Sequence, residues 1–152
     1  YEIWRSFTSS TVPSFFPGMV ELLEEFRGRG GLVAVVSHSE EDIIRWHYRE
    51  ATADALAPDF IMGWHDEEHK RKPSAYPVER VLEELGVGAH EALVVDDLKP
   101  GVTMARAAGV AVAGAGWGHE VTSIVEQMRT LCDVYLGSVE DLREYLLASP
   151  TG

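Results

Sequence analysis

The chain has 152 residues, enough for one domain with a substantial core, and its 45% apolar and 25% charged residues are typical of a globular protein. With 25 acidic and 13 basic residues the net charge is −12, which argues against nucleic-acid backbones and anionic membranes as partners. No apolar stretch approaches the roughly 20 residues that span a bilayer. The single cysteine, Cys132, excludes an internal disulfide framework, and we expect a cytoplasmic protein.

The first 16 residues, in which three phenylalanines lie among serines and threonines, predict an irregular entry segment. After it, short apolar runs predict buried strands, and apolar residues at helical spacing predict helices. These alternate, which predicts an α/β fold with a mostly parallel sheet and helices on both faces. In chain order we expect a helix over 17–27, a strand over 32–36, a helix from about 40 to 56, a strand over 59–63, a charged loop over 64–73, a helix over 74–85, a strand over 92–95, a helix from about 101 to 108, a strand over 110–113, a helix over roughly 119–131, a strand over 134–136 and a helix over 139–147.

Two neighbouring carboxylates, Asp96 and Asp97, directly follow the apolar strand over 92–95. Ligands of parallel sheets bind at the carboxyl ends of the strands, so this is a place for chemistry. Adjacent carboxylates repel each other, and a hard cation with oxygen ligands, such as Mg²⁺, relieves the repulsion. The alternative is that one of the two aspartates only caps the next helix.

Ser37 and Lys72 follow two earlier predicted strands, at or just beyond their carboxyl ends. A hydroxyl near a helix N-terminus can bind a phosphate oxygen together with backbone N–H groups, and a lysine supplies a compact positive charge. With the carboxylate pair as a metal site, these residues predict a place for a phosphoryl group held by Mg²⁺.

Three segments in order resemble motifs of the haloacid dehalogenase superfamily of phosphatases. VVSHS (residues 35–39) is similar to the second motif of that family, KPSAYPVERVLEELGV (72–87) to the third, and LVVDDLKPGVTMARAAGV (93–110) to the fourth. The flanking PGMVELLEEFRGRG (17–30) and GAGWGH (114–119) also fit, and the resemblance covers about residues 13 to 147.

This resemblance implies a three-layer α/β/α fold of the Rossmann type and a Mg²⁺-dependent phosphatase acting on a small phosphorylated metabolite, such as a sugar phosphate or phosphoglycolate. Ser37, with His38 beside it, is expected to hold the phosphoryl oxygens, and Lys72 to neutralise the phosphate and the nucleophile. Asp97 is expected to bind Mg²⁺, with Asp96 as a second ligand or as the group that orients a bound water. For His38, a solvated loop histidine is the alternative.

The chain departs from the family at its first motif, because no Asp-x-Asp occurs in the 152 residues. In the family that motif supplies the nucleophile and ends the central strand, beside the strand that precedes Asp96. We therefore expect a fragment of a longer enzyme: residues 1–16 are the end of a cap or linker, and 17–152 are a core with motifs two to four and an incomplete sheet. Such a fragment alone should be inactive, since no residue can form the aspartyl-phosphate.

Two other functions stay open at this point. A phosphomutase uses the same chemistry but returns the phosphoryl group to the substrate, and a non-catalytic or regulatory remnant keeps the fold without the nucleophile. The sequence does not indicate the oligomeric state. Among other candidates, the acidic and histidine-rich loop over 65–69 fits solvated surface better than a metal site, and Thr103 fits support of the metal site or plain helix surface equally well.

Overall fold

The computed structural model describes residues 10–148, so the first nine residues of the expected entry segment lie outside it. The chain divides into two compact units, one up to Trp64 and one from His65. Within residues 10–148, no helix combines the length and the apolar character that a membrane crossing requires. The first unit contains α1 (Met19–Gly28), β1 (Ala34–Val36), α2 (Glu41–Thr52) and β2 (Phe60–Met62); the second contains α3 (Tyr76–Leu85), β3 (Leu93–Asp96), α4 (Lys99–Ala107), β4 (Ala111–Ala115), α5 (Thr122–Leu131), β5 (Val134–Leu136) and α6 (Val139–Leu147).

In the first unit, β1 and β2 pair in parallel, with Val35 opposite Ile61. An aspartate just before β2 ties the two chain segments together at the amino end of the pair. The backbone N–H of Val33 donates to Oδ2 of Asp59 at 2.8 Å, and the N–H of Asp59 donates to the carbonyl of Val33 at 2.7 Å. Arg27, at the end of α1, donates to the other carboxylate oxygen at 2.8 Å. The apolar core of this unit includes Leu22, Ile43, Ile44, Leu56 and Ile61.

The second unit holds a parallel three-stranded sheet in the order β3-β4-β5. Asp133, just before β5, repeats the arrangement of Asp59: its Oδ2 accepts from the N–H of Val112 at 2.8 Å, and its N–H donates to the carbonyl of Val112 at 3.0 Å. Helices α4 and α5 contribute to a core cluster beside the sheet. The buried members of this cluster are Val102, Ala105, Val112 and Met128, and Val94, Ile124, Leu131, Cys132 and Tyr135 pack against them.

Helices alternate with parallel strands as expected, which confirms the α/β class, but several boundaries differ. Helix α2 ends at Thr52 instead of residue 56, because Ala53 and Asp54 adopt left-handed backbone with φ of 47° and 64°. Helix α4 begins two residues before the expected start, at Lys99. Pro100 then lies in the first turn, where its missing N–H costs no hydrogen bond. Helix α5 begins at Thr122 instead of 119.

We predict that Leu22→Ala strongly destabilises the first unit, because the Leu22 side chain is fully buried at 0% exposure. Large-to-small changes at such positions cost about 2–5 kcal/mol of unfolding free energy. The matched control is Leu32→Ala, since Leu32 is 46% exposed. Urea titration of both variants checks the prediction, and equal midpoints for the two would contradict the burial assignment.

Candidate functional site

Lys72 and Asp96 form a largely buried ion pair in the second unit. Nζ of Lys72 lies 2.7 Å from Oδ2 of Asp96, and the two side chains are 17% and 10% exposed. The N–H of Leu98 donates to Oδ1 of Asp96 at 3.0 Å. Both oxygens of this carboxylate, at the carboxyl end of β3, therefore have partners. The ion pair brings Lys72, in the charged loop after residue 64, to the carboxyl end of β3.

Helix α4 approaches Asp96 so closely that only glycine fits at position 101. A Cβ at Gly101 would lie 2.1 Å from Cγ and Oδ2 of Asp96, far inside any ordinary contact. The start of α4 thus packs directly on the carboxylate of Asp96, in the space that a side chain at position 101 would otherwise fill. Since the N–H of Gly101 is already used within the first turn, donating to the carbonyl of Leu98 at 3.1 Å, the contact with Asp96 is one of packing.

Asp97 has a different partner, His119, in the glycine-rich segment between β4 and α5. Nε2 of His119 lies 3.1 Å from Oδ2 of Asp97, and their side chains are 29% and 38% exposed. Gly118 packs on the same aspartate, because a Cβ there would lie 2.5 Å from Cβ of Asp97. His119 was not predicted as a site residue from the sequence. The parallel pairing of β4 with β3 brings the segments after both strands to one edge of the sheet, and this pairing places His119 beside Asp97.

Ser37 directly follows β1 in the first unit. Its N–H donates to the carbonyl of Met62 at 3.0 Å, and its Oγ accepts from the N–H of Ser39 at 3.1 Å. The turn is close to Gly63, where a Cβ would lie 2.6 Å from the N atom of Glu41. The ring of the neighbouring His38 packs edge-on against Trp64, with centroids 6.0 Å apart. His38 is therefore a ring-packing residue as well as a candidate ligand.

A pocket of about 300 Å³ lies beside Ser37 in the first unit. Aromatic residues from the entry segment and from α2 form much of its wall, and Phe15 packs edge-on against Tyr48 at 5.1 Å between centroids. Burial raises the pKa of the Tyr48 phenol, so this group stays neutral near pH 7. The lining residues are Pro13, Ser14, Phe15, Phe16, Val35, Ser37, Ser39, Ile44, His47 and Tyr48.

Residues 65–70 of the charged loop pair with one another. Glu67 is the centre of these contacts: Lys70 donates to it at 2.5 Å, and Nε2 of His69 lies 3.6 Å from it. The hydrogen bond from Lys70 holds the pKa of Glu67 below its usual range. Thr103 is exposed and its hydroxyl donates to the carbonyl of Lys99 at 3.1 Å, which places it on the helix surface. Burial raises the pKa of the Cys132 thiol, which fits its packing against the core cluster.

The donor chemistry at the end of β3 fits Mg²⁺ in part. Asp96 and Asp97 provide carboxylate oxygens, the ligands that hard divalent cations prefer. Across residues 10–148, no three or more His, Cys, Asp or Glu side chains group closely enough to hold a metal ion. The two aspartates alone therefore do not make a metal site, and a cation bound there would need further oxygen ligands from water, substrate or another segment.

The profile of the haloacid dehalogenase-like hydrolases matches residues 1–115. A phosphoglycolate phosphatase from Rhodospirillum rubrum is 32% identical to this chain over 106 residues, which are 70% of this chain and 43% of that protein. The chain thus spans less than half the length of this relative. The family match and the relative together confirm the resemblance to the haloacid dehalogenase superfamily that the three sequence segments indicated.

Two crystal structures share the fold. A phosphonoacetaldehyde hydrolase-like protein from Oleispira antarctica has a TM-score of 0.75 and 17% identity, and the match covers 95% of this chain and 60% of that one. A hydrolase of the same family from Deinococcus radiodurans, solved with bound phosphate and sodium, has a TM-score of 0.73 and 23% identity and covers 88% and 59%. They confirm the expected Rossmann-type α/β fold.

We predict that Gly101→Ala destabilises the second unit, although alanine normally stabilises a helix by about 0.5–1 kcal/mol over glycine. The new Cβ displaces the Asp96 carboxylate, and overpacking of this kind costs about 1–3 kcal/mol. Gly28→Ala is the matched control, because nothing lies within 4 Å of a Cβ at that helix position. Denaturant unfolding of both variants measures the difference; a gain in stability for Gly101→Ala would refute the close approach.

Proposed function

Because this chain belongs to the haloacid dehalogenase-like hydrolases, we propose that it is the core part of a Mg²⁺-dependent phosphatase that acts on a small phosphorylated metabolite. The observation that carries the proposal is the ion pair between Lys72 and Asp96. It holds an ammonium group, largely shielded from water, at the carboxyl end of a parallel strand, which is where such sheets bind ligands. Phosphoryl transfer depends mainly on positioning and on neutralising charge, which a held ammonium group provides.

The second part of the proposal concerns the nucleophile, which we assign to an aspartate on a strand outside residues 10–148. No Asp-x-Asp occurs in the chain. Within the three-stranded sheet, β3 is an edge strand, and Val95 in it is 38% exposed. An edge strand with exposed apolar side chains is a template for a further strand. A strand ending in a carboxylate there would bring the nucleophile beside Asp96.

Asp97 and Asp96 are the residues proposed to hold Mg²⁺. When bound, the cation neutralises negative charge on the phosphoryl group and on the neighbouring carboxylates. Asp97 is the better candidate for a direct ligand, because its side chain is 38% exposed and Asp96 already has partners on both oxygens. Asp96 then serves chiefly to hold Lys72 in place.

Ser37 is proposed to bind a phosphoryl oxygen through its hydroxyl. Its Oγ accepts from the N–H of Ser39, so the hydroxyl hydrogen can be directed to a substrate oxygen. His38 is the weaker candidate for a phosphate contact, because its ring packs on Trp64. The phosphoglycolate phosphatase activity of the Rhodospirillum rubrum relative suggests a small phosphate monoester as the substrate. The net charge of −12 argues against nucleic acid and anionic membranes as partners, and the single cysteine fits the cytoplasmic location that we propose.

We predict that Lys72→Met, made in the full-length gene product, lowers kcat for phosphate monoesters by about 100-fold or more, as removal of a single charge-stabilising donor does elsewhere. The loss arises because the ammonium group of Lys72 no longer neutralises charge on the phosphoryl oxygens. Hydrolysis of p-nitrophenyl phosphate and of phosphoglycolate, followed by phosphate release, measures the effect.

Lys70→Met is the matched control for this substitution. Lys70 is only two residues away, but it pairs with Glu67 in the exposed loop, so its loss should leave kcat nearly unchanged. An equal loss in the two variants would show that loop structure, not the ammonium of Lys72, accounts for the effect. A full-length protein with no turnover on any phosphate monoester would instead favour a non-catalytic member of the family, and phosphate returned to the substrate would favour a mutase.

We predict that Asp97→Asn raises the Mg²⁺ concentration for half-maximal turnover by roughly tenfold or more, because affinity for hard cations depends on the charge of the ligands. Asp54→Asn is the matched control: Asp54 is exposed, and its left-handed backbone suits asparagine equally well. Turnover of the parent after removal of Mg²⁺ with EDTA, or an unchanged Mg²⁺ requirement in Asp97→Asn, would exclude the metal role.

A further inference from the structure

The segment between β4 and α5 is packed so tightly that its path past the end of β3 is fixed. A Cβ at Gly116 would lie 2.6 Å from the carbonyl oxygen of Leu136, and a Cβ at Gly118 would lie 2.5 Å from Cβ of Asp97. The N–H of Gly116 also donates to that Leu136 carbonyl at 2.7 Å. The segment is therefore held between β5 on one side and Asp97 on the other, and it carries His119 to a set position.

His119 contacts one oxygen of Asp97 only. Nε2 of the imidazole lies 3.1 Å from Oδ2, and in the described part of the chain Oδ1 of Asp97 has no hydrogen-bond or ion-pair partner. Asp96 differs, because its Oδ2 pairs with Lys72 and its Oδ1 accepts from the N–H of Leu98. Asp97 therefore differs from Asp96: one of its carboxylate oxygens is in contact with His119, and its other oxygen is available to a ligand.

We propose that His119 is a positioning residue that, with the packing of Gly118, fixes the Asp97 carboxylate so that Oδ1 is presented to the divalent cation. This inference rests on the proposed function, since it assigns the cation to the same carboxylate. The contact itself adds little to stability, because both side chains reach solvent. Its effect is to remove the rotational freedom of a metal ligand, and groups that orient metal ligands in this way govern affinity.

Metal affinity separates this role from a structural one. Isothermal titration of Mg²⁺, or electron paramagnetic resonance titration of Mn²⁺, gives Kd for the full-length protein without substrate. His119→Leu removes the N–H group at similar volume, and His119→Ala removes the whole ring. We expect both variants to weaken cation binding by about 10- to 100-fold, the range found for residues that orient metal ligands. His119→Gln, which keeps an N–H donor of similar reach, should restore most of the affinity.

His90→Ala is the control, because His90 is an exposed histidine of the same unit and its loss should leave Kd unchanged. Parent-like affinity in either His119→Leu or His119→Ala overturns the inference. So does a His119→Gln variant that binds as weakly as His119→Leu. Phosphatase activity is measured in parallel on the parent, so that a parent without turnover counts against the proposed function, whereas an active parent with unaffected His119 variants counts against the positioning role alone.

Discussion

Two neighbouring carboxylates at the end of one strand are the constraint on which the candidate site depends. Like charges about 4 Å apart cost about 1 kcal/mol in water and more near a protein interior. In the structure each aspartate has its own partner: the ammonium group of Lys72 pairs with Asp96, and the imidazole of His119 contacts Asp97. The two partners come from different loops, one before β3 in the chain and one after β4. Each loop therefore controls one carboxylate.

The two loops and α4 reach the aspartates only where glycine removes a side chain. Gly101 lets the first turn of α4 lie on Asp96, and Gly118 lets the segment after β4 lie on Asp97. Close packing of backbone against a carboxylate leaves the side chain few rotamers, so much of the entropy of ordering it is lost during folding and not when a ligand binds. The geometry of the site is thus a property of the backbone path as much as of the charged residues.

The sequence predicted the strands and the order of helices well, because buried apolar runs and helical spacing are local signals. The predicted end of α2 was wrong, because Ala53 and Asp54 adopt left-handed backbone although neither is the glycine that usually marks such a position. The start of α4 was also predicted after Pro100, although proline is compatible with a first turn. Ser37, Lys72 and the aspartate pair were predicted as site residues from their place after strands and from the family resemblance, and their roles remain predictions. His119 was missed because its contact spans the β3–β4 pairing, and periodicity carries no information about contacts between segments.

Each unit also separates the residues that secure its strands from those proposed to bind ligands. Asp59 and Asp133 precede β2 and β5, and each carboxylate accepts from the backbone of the neighbouring segment at 2.8 Å. These contacts lock the paired strands at their amino ends, so the carboxyl ends need no such locking by side chains. Polar residues there remain available to contact ligands, because buried backbone groups nearby are already paired within the sheet. The strands are therefore held in register by contacts at one end, and the residues proposed to bind ligands lie at the other end.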